Sequence, residues 1–175
     1  MIRQALSTAA GCTAPGSTQQ APALAAAELH WESARFEALA PRSLYAVLQL
    51  RSEVFVIEQQ CLFQDLDGAD AKAMHLMGWQ GDRLQAYARC FGPGVMFQEA
   101  SIGRIATRAA VRAGGLGHRL VEHAMALVAM AWGRQPIRIG AQARLRRFYQ
   151  GHGFEAVGVP YVEDGIDHIE MLWRP

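Results

Sequence analysis

The sequence predicts an α/β (α+β) fold, a mixed sheet of six or seven strands with helices on its faces. Three observations carry that expectation. From Glu28 onward, strand-like runs interchange with runs of helical spacing. Two of the strand-like runs are joined by Gln80-Gly81-Asp82-Arg83, a good hairpin signal. Another, Ser101 to Thr107, passes through a glycine-rich stretch, Arg112-Ala113-Gly114-Gly115-Leu116-Gly117, into a helical stripe.

The elements follow in order. Leu29-His30-Trp31-Glu32 alternates and predicts a short first strand. Between Ser43 and Glu58, the apolar residues Leu44, Val47, Leu48, Phe55 and Val56 stand with Arg51 and Glu58 between them, the pattern of an amphipathic helix. Leu66-Asp67-Gly68-Ala69-Asp70 has turn chemistry and predicts a loop. Ala73 to Trp79 and Leu84 to Phe91 are the hairpin strands, and Ile102 to Thr107 is the next strand. The following helix runs from Gly117 to Trp132, with Leu116, Leu120, Ala124, Leu127 and Ala131 as its buried stripe. Ile137 to Ala141 reads as a short core strand, and Leu145 to Gly151 as a short helix closed by Gly151 and Gly153. Phe154 to Val159 and Ile166 to Trp173 form a closing pair of strands.

A chain of 175 residues supports one sizeable core and is short for two. Residues 28–175 are expected to form a single domain. Residues 1–27 are rich in Ala, Ser, Thr, Gln and Pro, have no acidic side chain, and are expected to be a flexible tail. The formal net charge of +1 gives no electrostatic argument for nucleic acid or an anionic membrane surface, and no apolar run approaches spanning length. Cys12, Cys61 and Cys90 are odd in number and include no C-x-x-C pair, which suits reduced thiols of a cytoplasmic protein. No Cys/His cluster has metal-ligand spacing, so no metal is expected.

The glycine-rich stretch carries most of the chemical information. Glycines between a strand and a helix start allow close backbone approach to a ligand. The first turn of a helix adds unpaired N–H groups and a partial positive charge, both of which attract phosphate. A P-loop would need Lys and then Ser or Thr after the last glycine, whereas His118 and Arg119 stand there. The dinucleotide fingerprint has a different glycine spacing and lies at the first strand–helix turn. An ordinary glycine-rich loop before a helix remains the bland alternative.

Further residues make the match more specific. Arg112-Ala113-Gly114-Gly115-Leu116-Gly117 resembles the R-G-x-G-x-G/A motif of the GNAT superfamily of acyl-CoA-dependent N-acetyltransferases. Phe148-Tyr149-Gln150-Gly151-His152-Gly153-Phe154 resembles the same family's aromatic–glycine segment, in the right order behind it. Leu50 to Gln59 and Glu163 to Ile169 resemble the ElaA-like branch. The resemblance runs from about Leu29 to the C-terminus. It departs at Ala113, where the family has its first glycine; if that position needs positive φ, alanine adds strain of about 1 kcal/mol or more.

The resemblance implies a GNAT fold with helices on both faces of the sheet and two central strands that splay apart to admit the pantetheine arm of acetyl-CoA. Main-chain groups of Ile105, Ala106 and Thr107 would meet that arm. Backbone N–H groups of Ala113, Gly114, Gly115, Leu116, Gly117 and His118 would hold the pyrophosphate, with charge from Arg112. Gln142 and Arg144 would line the arm. Tyr149 would protonate the departing thiolate, and a backbone N–H of the Ile105 strand would stabilise the oxyanion. Glu53, Glu58, His75 and His168 are candidates for the substrate pocket, without a base being singled out. The implied acceptor is a small-molecule or peptide amine. Homodimers are common in the family, though no feature of this sequence establishes one. Two other functions stay open: an acyl-homoserine-lactone-synthase-like acyltransferase, which Arg51, Val54 and Phe55 faintly resemble, and a non-catalytic acyl-CoA-binding module.

Overall fold

The computed structural model describes residues 29–175; the tail expected over residues 1–27, and Cys12 within it, lie outside the described residues. The chain proceeds through β1 (His30–Arg35), α1 (Pro41–Arg51), β2 (Met74–Gln80), β3 (Arg83–Phe91), β4 (Ala100–Thr107), α2 (Leu116–Trp132), β5 (Ile137–Gln142), α3 (Arg146–Gln150), β6 (Glu155–Glu163) and β7 (Ile166–Trp173). The strands form one seven-stranded sheet in the order β1-β2-β3-β4-β5-β7-β6. All neighbours are antiparallel except β4 and β5, whose parallel contact is confined to Ala100–Ile137 and Ser101–Arg138.

Cross-strand partners share a face, so the registers divide the side chains into two layers. Leu76, Ala88, Cys90, Ile102, Ile139 and Met171 face α2, which sinks Leu120, Ala124 and Val128 into them at zero exposure. On the opposite face α1 packs Val47 and Leu50 against Met77, Tyr87 and Ala106. Helices therefore cover both faces, as expected, with α1 packed over β3 and β4.

The sequence anticipated one amphipathic helix from Ser43 to Glu58. The structure starts α1 earlier, at Pro41, whose fixed φ suits a first helical position. Beyond Arg51 the helix widens into a π-type segment, Ser52–Glu58. Such widenings concentrate at functional sites because they break the regular rotation of side chains about the axis. Here the segment brings Phe55 and Glu58 to the same opening.

Candidate active site

Past Ser101 and Arg138, β4 and β5 diverge. Main-chain groups on their facing edges then have no strand partner among the described residues, and a cleft of about 720 Å³ opens between them. At one end stand the glycine turn and α3, at the other the loop from Cys61 to Asp67 and the β6–β7 turn, and the π-type segment reaches both, Glu58 to Arg112 and Phe55 to Arg104.

At the first end, Ala109–Gly114 forms a 3-10 turn, and Gly115 takes the left-handed φ of 75° that lets the chain enter α2. No side chain caps this helix start. Ala113 lies inside the 3-10 turn and is not among the residues with positive φ, so the substitution noted above carries no left-handed strain. Ile105, Ala106, Thr107, Arg112, Gly115, Gly117, His118, Gln142 and Arg144 all line the cleft. Ala113 and Gly114 do not, and the Leu116 side chain is buried under the sheet. Gly115→Ala is expected to cost about 1–2 kcal/mol, because a Cβ meets open space there and only the backbone is strained. Urea unfolding with and without acetyl-CoA measures it; a cost below about 0.5 kcal/mol would show the turn relaxing to negative φ.

Several of these groups are already paired. Arg112 grips the Glu58 carboxylate with both terminal nitrogens and donates from Nε and Nη2 to the Thr107 carbonyl at 3.1 and 2.8 Å. The Arg112 hydrogen bond holds the Glu58 carboxyl below its ordinary range. On the other side of the gap, Gln142 Nε2 donates to Gln59 Oε1 at 3.0 Å, and Gln142 Oε1 accepts from Arg144 Nε at 2.9 Å. Arg112 thus ties the glycine turn to Glu58 at the end of the π-type segment, and Gln142 ties β5 to Gln59 just after it.

Tyr149 lines the cleft from α3, edge-on to Phe148 (centroids 5.0 Å apart) and Phe154 (6.0 Å). Burial pushes its hydroxyl up to about 12, so it is a proton donor throughout the neutral range.

At the opposite end, His168 lines the cleft, stacked on Tyr161, with Nδ1 2.8 Å from the Ile166 carbonyl. A carbonyl only accepts, so Nδ1 carries the proton and Nε2 keeps its lone pair when the ring is neutral. Cys61 donates to the Asp164 carbonyl at 3.2 Å. Cys61 and Cys90 are free and buried.

Two expected pocket residues lie elsewhere. His75 is fully buried, 2.7 Å from the Tyr87 hydroxyl through Nδ1 and 3.0 Å from the Asp70 carbonyl through Nε2. Both ring nitrogens are thus occupied, and burial lowers its affinity for a proton. Glu53 is engaged by Arg108, whose Nε donates to the Leu84 carbonyl, outside the cleft. Strand membership placed His75 correctly in the sheet but did not reveal that its face carries hydrogen-bond partners.

The sequence reading missed the charge cluster behind the far wall. Arg51, with zero exposure, bonds Asp65 Oδ2 (2.7 Å), the Asp65 carbonyl (2.8 Å) and Asp70 Oδ1 (2.7 Å). Arg89 forks onto Asp67 (2.7 and 2.6 Å) and reaches Asp70 at 3.0 Å. Arg104 reaches Asp65 at 2.6 Å and Asp67 at 3.6 Å. Three arginines from α1, β3 and β4 thereby hold three aspartates of one loop. The Arg89 hydrogen bonds drive the Asp67 carboxyl far below the usual carboxylate range, so it cannot serve as a base near neutrality. The available signal was a charged residue inside each of three apolar runs.

Residues 34–175 match the acetyltransferase (GNAT) domain family. The chain belongs to the GNAT acetyltransferase family. Protein ElaA of Escherichia coli is 39% identical over 145 residues, covering 82% of this chain and 95% of that protein. Its crystal structure superposes with a TM-score of 0.78 over 83% of this chain and 99% of the other, at 38% identity. An acyl-CoA N-acyltransferase from Pseudomonas aeruginosa matches at TM-score 0.79 and 41% identity, over 83% and 99% of the two chains. A CoA-dependent acyl-homoserine lactone synthase, BjaI, shares the GNAT fold at TM-score 0.68, with 17% identity over 83% and 82%. Among the described residues of this GNAT protein, no helix is long and apolar enough to cross a membrane.

Proposed function

We propose that the protein is an N-acetyltransferase that moves the acetyl group of acetyl-CoA to a primary amine by direct attack on the thioester. One observation supports this above the rest. The cleft between the diverging strands is lined at once by the glycine turn, by Tyr149 and by His168.

In this reading the pantetheine arm lies along the free edges of β4 and β5, and the pyrophosphate meets the uncapped start of α2. The neutral amine attacks the carbonyl carbon, the C–S bond breaks, and the thiolate takes the Tyr149 proton. The proton lost by the amine leaves through His168 Nε2 or water. A β4 backbone N–H meets the developing oxyanion. The reading treats residues 28–175 as one catalytic unit of a cytoplasmic enzyme, in keeping with the free thiols of Cys61 and Cys90.

Acetyl-CoA at about 100 times its dissociation constant is expected to stabilise the folded protein by about 2.7 kcal/mol, read as a rise in melting temperature. A panel of amines assayed for free CoA release should then give turnover with intersecting, sequential kinetics, because both substrates occupy one cleft. Absence of any shift at millimolar acetyl-CoA would remove the donor assignment, and parallel ping-pong kinetics would remove direct transfer.

A further inference from the structure

Arg104 is a charged residue in the middle of a buried strand. Gly103 pairs with Arg89 and Ala106 with Tyr87, so β4 has two residues where β3 has one. Arg104 is the extra residue, a bulge with φ 49° in the left-handed region that side chains other than glycine rarely adopt. Ile102 packs in the α2 layer, so regular alternation would send Arg104 into that apolar layer as well. The bulge turns it to the opposite face instead. There its Nε lies 2.6 Å from Asp65 Oδ1 and its Nη2 3.6 Å from Asp67 Oδ2. The guanidinium also sits 5.8 and 5.5 Å from the ring centroids of Phe55 and Phe63. Phe55, Phe63 and Asp67 all line the far end of the cleft, and so does Arg104 itself.

We propose that Arg104 is a positioning residue: its guanidinium pins the β4 bulge to the Cys61–Asp67 loop, fixing at one point both the main chain that meets the thioester and the wall that faces the acceptor. Its kinetic consequence rests on the acetyltransferase reading; its structural consequence does not. A lysine could supply the charge but not a planar fork bridging two carboxylates while lying between two rings.

The test compares wild type with Arg104→Gly, which accepts the left-handed φ and so leaves the bulge unstrained, and with Arg104→Lys. Hydrogen exchange is followed at the amides of β4, of residues 61–67 and of β2, and kcat, amine KM and acetyl-CoA affinity are measured in parallel. In Arg104→Gly, exchange over β4 and residues 61–67 is expected to rise about tenfold with β2 unchanged. With any amine that wild type acetylates, kcat should fall about 30- to 100-fold while acetyl-CoA affinity stays within about threefold, and Arg104→Lys should recover part of the loss. Unchanged exchange in both segments overturns the proposal, and so does raised exchange with kcat unaltered. Should wild type turn over no amine, the acetyltransferase reading fails, and the exchange measurement still decides the role of Arg104.

Discussion

Tyr149→Phe is expected to lower kcat by about 100-fold, or ~2.7 kcal/mol in the barrier, while acetyl-CoA affinity stays within about threefold. The ring is held edge-on between Phe148 and Phe154, and removal of one hydroxyl leaves that packing intact. What disappears is a proton donor facing the cleft, and the thiolate must then leave unprotonated or draw on water. Because burial pushes the hydroxyl up to about 12, wild-type turnover should show no loss attributable to Tyr149 ionisation up to about pH 10. Single-turnover rates across pH with both proteins check this. A kcat within about threefold of wild type in a chemistry-limited assay would end the acid role.

Arg51→Met should be the most damaging single change to stability, costing about 3–5 kcal/mol. The side chain is fully buried and bonded to two aspartates, Asp65 at 7% exposure and Asp70 at 13%. Burial alone would disfavour its charge, but Asp65 and then Asp70 outweigh that and raise its proton affinity. Methionine preserves much of the volume and leaves the carboxylates short of a partner, with Arg89 and Arg104 to share. At about 2–4 °C per kcal/mol for a chain of this size, the melting temperature should drop by roughly 6–20 °C. A drop below about 3 °C would show that the loop re-pairs around the gap. Acid acts on the same cluster from the other side. The Asp67 carboxyl is depressed in the folded state, so its contribution is complete above the ordinary carboxylate range and is lost as pH falls toward its native value.

Local patterns made the framework readable. Turn chemistry between two apolar runs revealed the hairpin of β2 and β3, and helical spacing revealed α2, because both signals are local to one element or one turn. The glycine turn was readable for a different reason: a tight passage from strand into helix needs glycine at fixed points, and Gly115 indeed takes positive φ. The far end was not. Arg51, Arg89 and Arg104 are separated by whole elements, and their meeting with Asp65, Asp67 and Asp70 depends on which face each occupies. A bulge decides that face for Arg104, and a bulge leaves no periodic trace in sequence. The widening after Arg51 was hidden likewise, since a π-type turn and an α-turn draw on the same residues.

The contact between β4 and β5 has a mechanical meaning. Among the described residues, only two rungs join the four strands β1–β4 to the three strands β5, β7 and β6. The backbone ladder is therefore a short spine between two leaves, which are also joined by the Arg138–Glu99 ion pair, the Cys61–Asp164 and Gln59–Gln142 hydrogen bonds, and the apolar layer beneath α2, which gathers Ile102 from one and Ile139 and Met171 from the other. Gly115 caps the start of α2, in the glycine turn that lines the cleft. A molecule seated in the cleft would supply the missing rungs at the open edge while touching the root of the buttress that sets how far the leaves stand apart.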